Sequence, residues 1–491
     1  MLNSRRVSLA YKTYWLALIL IAVLVGVLST QVPALLLAVV LFCLILRVFW
    51  QSLVKRDLLN TFVWVCFGYM GFAFGGLYYS LRQNQVQQVD YLSLPFYASV
   101  PENQPYLALA LLIAIIGLVA FGAGYSVVAR RQTGAMASST PQHSYSHLRL
   151  SVVVGLLTVV GLVFAYLFFQ SSGGFIYLLT HIYGRALFRS TAYWQAGALL
   201  LPVANLLWFS YDYRRARKSL RYWLHTALTS LLLVSFGDRW GIVGFWLMLV
   251  TVHYYLAGHR VKAKTAILLA VVASVVAVGV GIWRASSTGG ALAAVTSRGE
   301  LLQVILDQVQ QVFGTRNLTD IDVLSWIIGR GYEEIGLLAG KSFFDVLLAP
   351  IPRTLLPEKP VELGMVVFRA YTGTDAGGSW HPSFVGELYL NFLLPGVVLG
   401  MFLLGLASSW LEGRRRRSSH PAVVLLYAIY AVKFIILLIT VDFMMAFLQA
   451  AFYVLPVIAA SLYIGGVRRG LVQSMATGEE AGKGDHDAIS S

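Results

Sequence analysis

APIPRTLLPEKPVELGMVVFRAYTGTDAGGSWHPSFVGELYLNFLLPGVVLGMFLL, residues 349–404, changes character half-way along. Its first part is polar, punctuated by Pro and Gly, and carries Arg353, Lys359, Arg369 and His381. From about Glu387 it runs into an apolar helix long enough to enter a bilayer. Such a switch from charged loop to apolar span belongs at a membrane surface. The cations then lie just outside the hydrocarbon, where a group of them suits an anionic, lipid-linked ligand.

The rest of the chain repeats the apolar theme. Of 491 residues, 58% are hydrophobic and 12% charged, against about 25% charged in an average soluble domain. Apolar runs near 12–29, 33–50, 61–80, 105–127, 150–170, 193–211, 222–237, 240–257, 265–283, 386–408, 421–440 and 443–465 each approach the length of a span. The expectation is an all-α polytopic membrane protein of about 12 transmembrane helices. The alternation of an outer-membrane barrel is absent from the sequence.

A net charge of +15 raises the question of nucleic acid, and the placement of the cations answers it. With the N-terminus inside, the cytoplasmic connections hold Arg5, Arg6 and Lys12; Arg47, Lys55 and Arg56; and Arg130, Arg131 and Arg149. Later ones hold Arg214, Arg215, Arg217, Lys218 and Arg221; Arg260, Lys262 and Lys264; Arg414 to Arg417; and Arg468, Arg469 and Lys483. About two-thirds of the 37 Lys and Arg thus obey the positive-inside rule. The charge is a topology signal, and both termini are expected in the cytoplasm.

Cys43 and Cys66 both fall in apolar segments and offer neither a disulfide framework nor a zinc site. The first apolar run lacks a convincing small-residue cleavage site and reads as a retained first helix. The expected organisation is helices one to nine over 1–283, a large external loop over 284–385, helices ten to twelve over 386–465, and a cytoplasmic tail over 466–491.

Candidate residues gather on the outer face. Residues 131–148 form a Ser/Thr/Gly linker in which His143 and His147 read as solvated. The connection 170–195 is different: His181, Arg185 and Arg189 recur every four residues, on one face of a short helix. Asp238 and Arg239, in SFGDRWGI, sit where helices seven and eight meet the membrane edge. They are either a helix-capping pair or a phosphate site. Arg284 closes helix nine, and the loop beyond it has helical readings at 301–313 and 322–340, with Glu333 and Glu334 on a solvated face. Lys433 falls inside helix eleven and Asp442 follows it; a buried structural partner and a substrate contact are both open for the lysine.

Six external Arg, namely Arg185, Arg189, Arg239, Arg284, Arg353 and Arg369, lie where they can converge above the bundle, with Lys359 beside them. Arg forks around one crevice would neutralise a diphosphate and stabilise it as a leaving group. Neutralisation by Arg and Lys calls for neither metal nor cofactor. Candidates for a base are His381, Glu387 and Asp238. Glu387 reads equally as an acidic residue favoured at a helix N-terminus.

PIPRTLLPEKP, FRAYTGT and HPSFVGELYLNFLLPGVVLG resemble the oligosaccharide repeat-unit polymerase family, the Wzy-type O-antigen polymerases. Gly386, Glu387, Tyr389, Asn391 and Phe392 match the Gly-Glu-x-Tyr-x-Asn-Phe run that opens a helix in that family. The family is also described with Arg-x10-Gly motifs in two periplasmic loops. Arg353 and Gly364 keep that spacing, whereas Arg185 and Gly197 are one residue too far apart. The resemblance covers mainly 235–242 and 349–404.

It implies a metal-independent, GT-C-like glycosyltransferase of the bacterial inner membrane, with its large loop periplasmic and between helices nine and ten. The substrate would be an undecaprenyl-diphosphate-linked oligosaccharide, moved onto a lipid-linked repeat unit. A flippase and a chain-length regulator would be partners, alongside membrane lipids. Under this reading Arg239, Arg284, Arg353 and Arg369 hold the diphosphate with help from Lys359. His381 or Glu387 activates or orients the acceptor, and Arg185 and Arg189 contact the donor glycan or lipid phosphate. Two rivals stand: an O-antigen ligase, and a lipid-linked oligosaccharide flippase or other transporter. Transporters of the second kind tend to show related halves, and no internal repeat is visible here.

Overall fold

The computed structural model describes residues 32–55, 57–74, 104–131, 145–175, 192–236, 239–258, 320–351, 355–373, 379–418 and 420–465. Among them every regular element is a helix. In order these are α1 Val32–Val54, α2 Thr61–Tyr69, α3 Gln104–Arg131, α4 His147–Ser171, α5 Ala192–Ala198, α6 Leu200–Tyr211, α7 Tyr213–Ala216, α8 Leu220–Ser235 and α9 Arg239–Leu256. Then come α10 Asp320–Trp326, α11 Tyr332–Ile335, α12 Lys341–Leu348, α13 Leu363–Thr372, α14 Ser383–Arg417, α15 Pro421–Ile429, α16 Ile436–Thr440 and α17 Phe443–Ile464. Single π-helical turns extend α2 (Met70–Phe74), join α10 to α11 (Ile327–Gly331) and join α15 to α16 (Tyr430–Ile435).

Six described helical stretches are long and apolar enough to cross a membrane: Pro33–Val54, Tyr106–Ala129, His147–Ser171, Ser383–Arg417, Pro421–Thr440 and Phe443–Ile464. Thr61–Phe74 and Trp240–Leu256 are shorter apolar helices. The chain is therefore an α-helical, multi-pass membrane protein. Each expected span that falls wholly or partly on described residues coincides with helix; those at 12–29 and 265–283 lie outside them.

Local chemistry sets the helix ends. Asn60 opens α2 by accepting the N–H of Val63 at 3.1 Å, and Ser219 opens α8 through the N–H of Tyr222. Ser146 caps α4 through the N–H of Arg149. The capping draws the helix start forward, so His147 belongs to α4 rather than to the linker expected to run to 148, and its side chain is exposed, as a solvated position requires. His420 caps α15, with Pro421 in the first turn, where a missing N–H costs nothing. Gly336, at φ 81°, ends α11, so the helix expected over 322–340 stops at Ile335. Glu333 and Glu334 are exposed, as a solvated face requires.

The chain divides into two compact units. One comprises Met1–Arg131, Val309–Trp410 and Phe434–Leu448; the other Gln132–Gln308, Leu411–Lys433 and Gln449–Ser491. In the first unit α3 and α14 cross with backbones in contact, a packing that small residues permit in membrane helices. A Cβ on Gly124 would stand 2.1 Å from the Phe402 carbonyl oxygen, and one on Gly405 2.2 Å from that of Phe121.

Helix α14 is bent. Leu393 takes φ 55° and ψ −152°, and Pro395 follows it. Proline removes a backbone donor and the left-handed Leu393 interrupts the ladder before it, so carbonyls of the preceding turn need other partners. The Leu390 carbonyl accepts the N–H of Leu338 at 3.0 Å, so the loop after α11 docks onto the bend. Leu394–Arg417 alone is long enough to cross the hydrocarbon. The head of the helix, before the bend, packs with the loop segments. Its Leu390 joins Val323, Trp326, Ile327, Leu363 and Val367 in one buried cluster. The head begins at Ser383, three residues before the start expected at 386, because the Ser383 hydroxyl accepts the N–H of Gly386.

In the second unit α4, α6 and α8 share a polar core. Asn205 donates to Thr226 Oγ1 at 3.0 Å and accepts from the Tyr222 hydroxyl at 3.0 Å. His225 lies 2.9 Å from the Asn205 amide and 3.0 Å from Thr158 Oγ1. Each buried polar atom in this group meets another, as burial in an apolar bundle requires. Lys433 is buried in the π-helical turn, with its ammonium 5.4 Å from the Tyr453 ring. Gly244 makes room for it, because a Cβ there would meet Nζ at 3.2 Å.

Candidate functional site

Within the first unit, α12, α13, the head of α14 and the start of α17 meet around a buried polar cluster. Glu387 is 1% exposed and Asp442 is fully buried. Glu387 Oε1 accepts the Ser342 hydroxyl at 2.6 Å, and Oε2 accepts the backbone N–H of Phe443 at 2.7 Å. Asn391, one turn further along α14, donates to Ser342 Oγ and to the Glu387 carbonyl, each at 2.8 Å. Its Oδ1 accepts the N–H of Gly340, also at 2.8 Å. The loop before α12 and the head of α14 are thereby tied through side chains, in a place where an unpaired group would be costly.

His381 is held on the open side of this cluster. The Trp380 N–H donates to the Gly364 carbonyl at 2.8 Å, which lays 379–381 against the first turn of α13. Tyr371 of α13 packs on Trp380 with ring centroids 4.2 Å apart. Gly364 is required there, since a Cβ would come within 2.4 Å of Ser379 Oγ. The His381 side chain keeps 32% of its surface exposed, while its Nδ1 stands 3.9 Å from Asp442 Oδ2. Asp442 uses its other oxygen to cap α17, accepting the N–H of Met445 at 2.8 Å.

Of the residues singled out in the sequence, the structure brings His381 and Glu387 into one neighbourhood, and they play different parts there. Both oxygens of Glu387 are occupied within the fold, whereas His381 reaches the surface. Lys359 is half-buried and donates to the Ala349 carbonyl, tying the Pro-rich run back to the end of α12. Arg369 is exposed in the last turn of α13, where Gly373 (φ 65°) closes the helix with its N–H on the Arg369 carbonyl. A cation suits that negative end of the macrodipole. Arg185, Arg189, Asp238, Arg284 and Arg353 lie outside the described residues, as does the side chain of Arg239, whose backbone opens α9.

Sequence reading singled out Asn391, Gly364 and Asp442 but passed over the serines that shape the site. Ser342 gave no signal, and Ser379 none beyond its nearness to His381. Asp442 did signal itself, as a lone acid between two apolar helices, a common place for a helix cap. An Asp-x-Asp spacing, Asp320 and Asp322, opens α10, where the Asp322 carboxylate accepts the N–H of Val323 at 3.0 Å. Among the described residues no group of three His, Cys, Asp or Glu side chains is placed to hold a metal ion.

No protein-family model, curated protein or solved structure matches the chain.

Proposed function

We propose that this protein is a polysaccharide polymerase: it transfers a growing glycan from undecaprenyl diphosphate onto a lipid-linked repeat unit at the outer face of the bacterial inner membrane. The observation that carries the reading is the place of His381. An accessible imidazole stands beside a buried carboxylate at the head of a membrane-spanning helix. It is packed against Gly364, the glycine of the Arg353-x10-Gly364 motif.

In the proposed reaction an acceptor hydroxyl of the repeat unit attacks the anomeric carbon of the donor glycan. The new glycosidic bond forms as the bond to the diphosphate oxygen breaks, and undecaprenyl diphosphate leaves with the electron pair. His381 Nε2 takes the hydroxyl proton, a role suited to imidazole near neutral pH. Arg353, Arg369, Arg239 and Arg284, with Lys359, neutralise the departing diphosphate. Glu387 orients the site from within: it joins α12 through Ser342 and the start of α17 through Phe443. Arg185 and Arg189 contact the donor further out. The twelve-span, GT-C-like arrangement, cytoplasmic termini, and a flippase and chain-length regulator as partners belong to the same reading.

The test uses the purified full-length protein in detergent and an undecaprenyl-diphosphate-linked repeat unit from the same cell. A ladder of glycans that survives EDTA, and that Arg353→Ala and His381→Ala abolish, is the expected result. Transfer of single units onto lipid A core would instead establish the ligase. Passage of units across liposomes without elongation would establish a flippase and remove the catalytic assignment.

A further inference from the structure

Three buried polar atoms make no hydrogen bond here: Ser379 Oγ and His381 Nδ1, both beside Gly364, and Asp442 Oδ2. A buried donor or acceptor left unpaired forfeits its interaction with water and gains nothing in return. Two of the three face each other, Nδ1 and Oδ2 across 3.9 Å. The competing acid is spoken for, because Glu387 spends its oxygens on Ser342 and Phe443. Asp442 is itself fixed by its cap on Met445, so Oδ2 cannot turn away without undoing the start of α17. Since Nδ1 is buried and the side chain is nevertheless one-third exposed, the accessible surface of His381 lies away from Nδ1.

We propose that Asp442 is the positioning residue of His381: its Oδ2 accepts Nδ1–H, which fixes the tautomer and leaves the Nε2 lone pair on the exposed side of the ring as the base. The pairing rests on the reading of His381 as the proton acceptor in glycosyl transfer. A carboxylate on one ring nitrogen selects which nitrogen is bare, and it stabilises the imidazolium formed when the other takes a proton. Closing the gap by about 1 Å to an ordinary hydrogen bond removes both orphan atoms at once. The carboxylate never touches substrate. It acts through the ring.

The experiment is ¹⁵N NMR of histidine-labelled full-length protein in nanodiscs, at a pH where the ring is neutral, with His381 assigned from the signal absent in His381→Gln. Wild type is expected to show Nδ1–H and a bare Nε2. Asp442→Asn keeps an oxygen for the α17 cap but loses the carboxylate, and is expected to lose this tautomer preference. Its elongation rate should fall about 100-fold, the scale of a general base, with KM within a few-fold of wild type. An Nε2–H tautomer in wild type overturns the pairing whether or not any variant folds. So does an Asp442→Asn protein with unchanged tautomer and rate. If wild type shows the tautomer and Asp442→Asn loses it, but wild type makes no glycan ladder, the pair stands and the polymerase reading falls.

Discussion

Gly364 and His381 are in contact because one of them has no side chain: a Cβ on Gly364 would stand 2.9 Å from His381 Nδ1. The glycine is not there for a special backbone angle, since it is absent from the positive-φ glycines. It is there for room. The motif spacing that singles out Gly364 in the sequence and the packing that demands it in the fold concern the same atom position.

Gly364→Ala should therefore act on the site more than on the fold. The methyl group pushes residues 379–381 off α13 at an overpacking cost of about 1–3 kcal/mol. The glycan elongation proposed above should fall at least about tenfold, since small misplacements of a reacting group are costly, while thermal unfolding in detergent stays cooperative. Full activity in the alanine variant would show that the contact is incidental.

The crossing of α3 and α14 is a test of structure alone. Gly124→Ala and Gly405→Ala each place a methyl group against a backbone carbonyl, which cannot move aside as a side chain can. Each should destabilise by about 2 kcal/mol, and the pair by less than the sum, because the first change already separates the helices. Thermal melts of the two single variants and the double variant read this out.

Glu387 separates shape from charge. In Glu387→Gln the carbonyl can keep the Phe443 N–H and the amide can donate to Ser342, so the cost should stay near 1 kcal/mol or below. Glu387→Leu strands both partners and should cost about 2–3 kcal/mol. Comparing chemical denaturation of the two variants decides it; equal losses would mean that the hydrogen bonds contribute little.

In the second unit, Asn205→Leu removes three side-chain contacts at once. Hydrogen bonds between membrane helices are worth about 0.6 kcal/mol each on average. The expected loss is about 2 kcal/mol, with the proposed elongation, per folded molecule, unchanged. A variant as stable as wild type would show that α6 and α8 hold by apolar packing alone.

Hydropathy carried most of the fold. Apolar length located the helices, but it missed the caps at Ser146 and Ser219 that start two of them earlier than expected, at His147 and Leu220. Where it misjudged, short-range chemistry had intervened: the Ser383 hydroxyl moved the start of α14 outward, and Gly336 ended α11 early. The site was legible in its charged members, and in Asn391 and Gly364 through the motifs, but not in Ser342, Ser379 or the Phe443 N–H. Glu387 was open between a helix-end charge and a base because a single residue carries no information about Ser342, 45 residues away, or Phe443, 56 residues away. Serine and a backbone N–H are too common to stand out, and only the fold says which ones arrive.

The bond from Phe443 to Glu387 also sets an order of assembly. Ser342 and Gly340 leave the ribosome before the head of α14, so that side of the polar cluster can close as soon as the head is made. Asp442 and Phe443 come only after α15 and α16 have been synthesised. Until then Glu387 has one unfilled oxygen and His381 faces no carboxylate. The start of α17 is thus the closing piece of the site, and a nascent chain halted before it would carry every cationic candidate while the imidazole still lacked its acid.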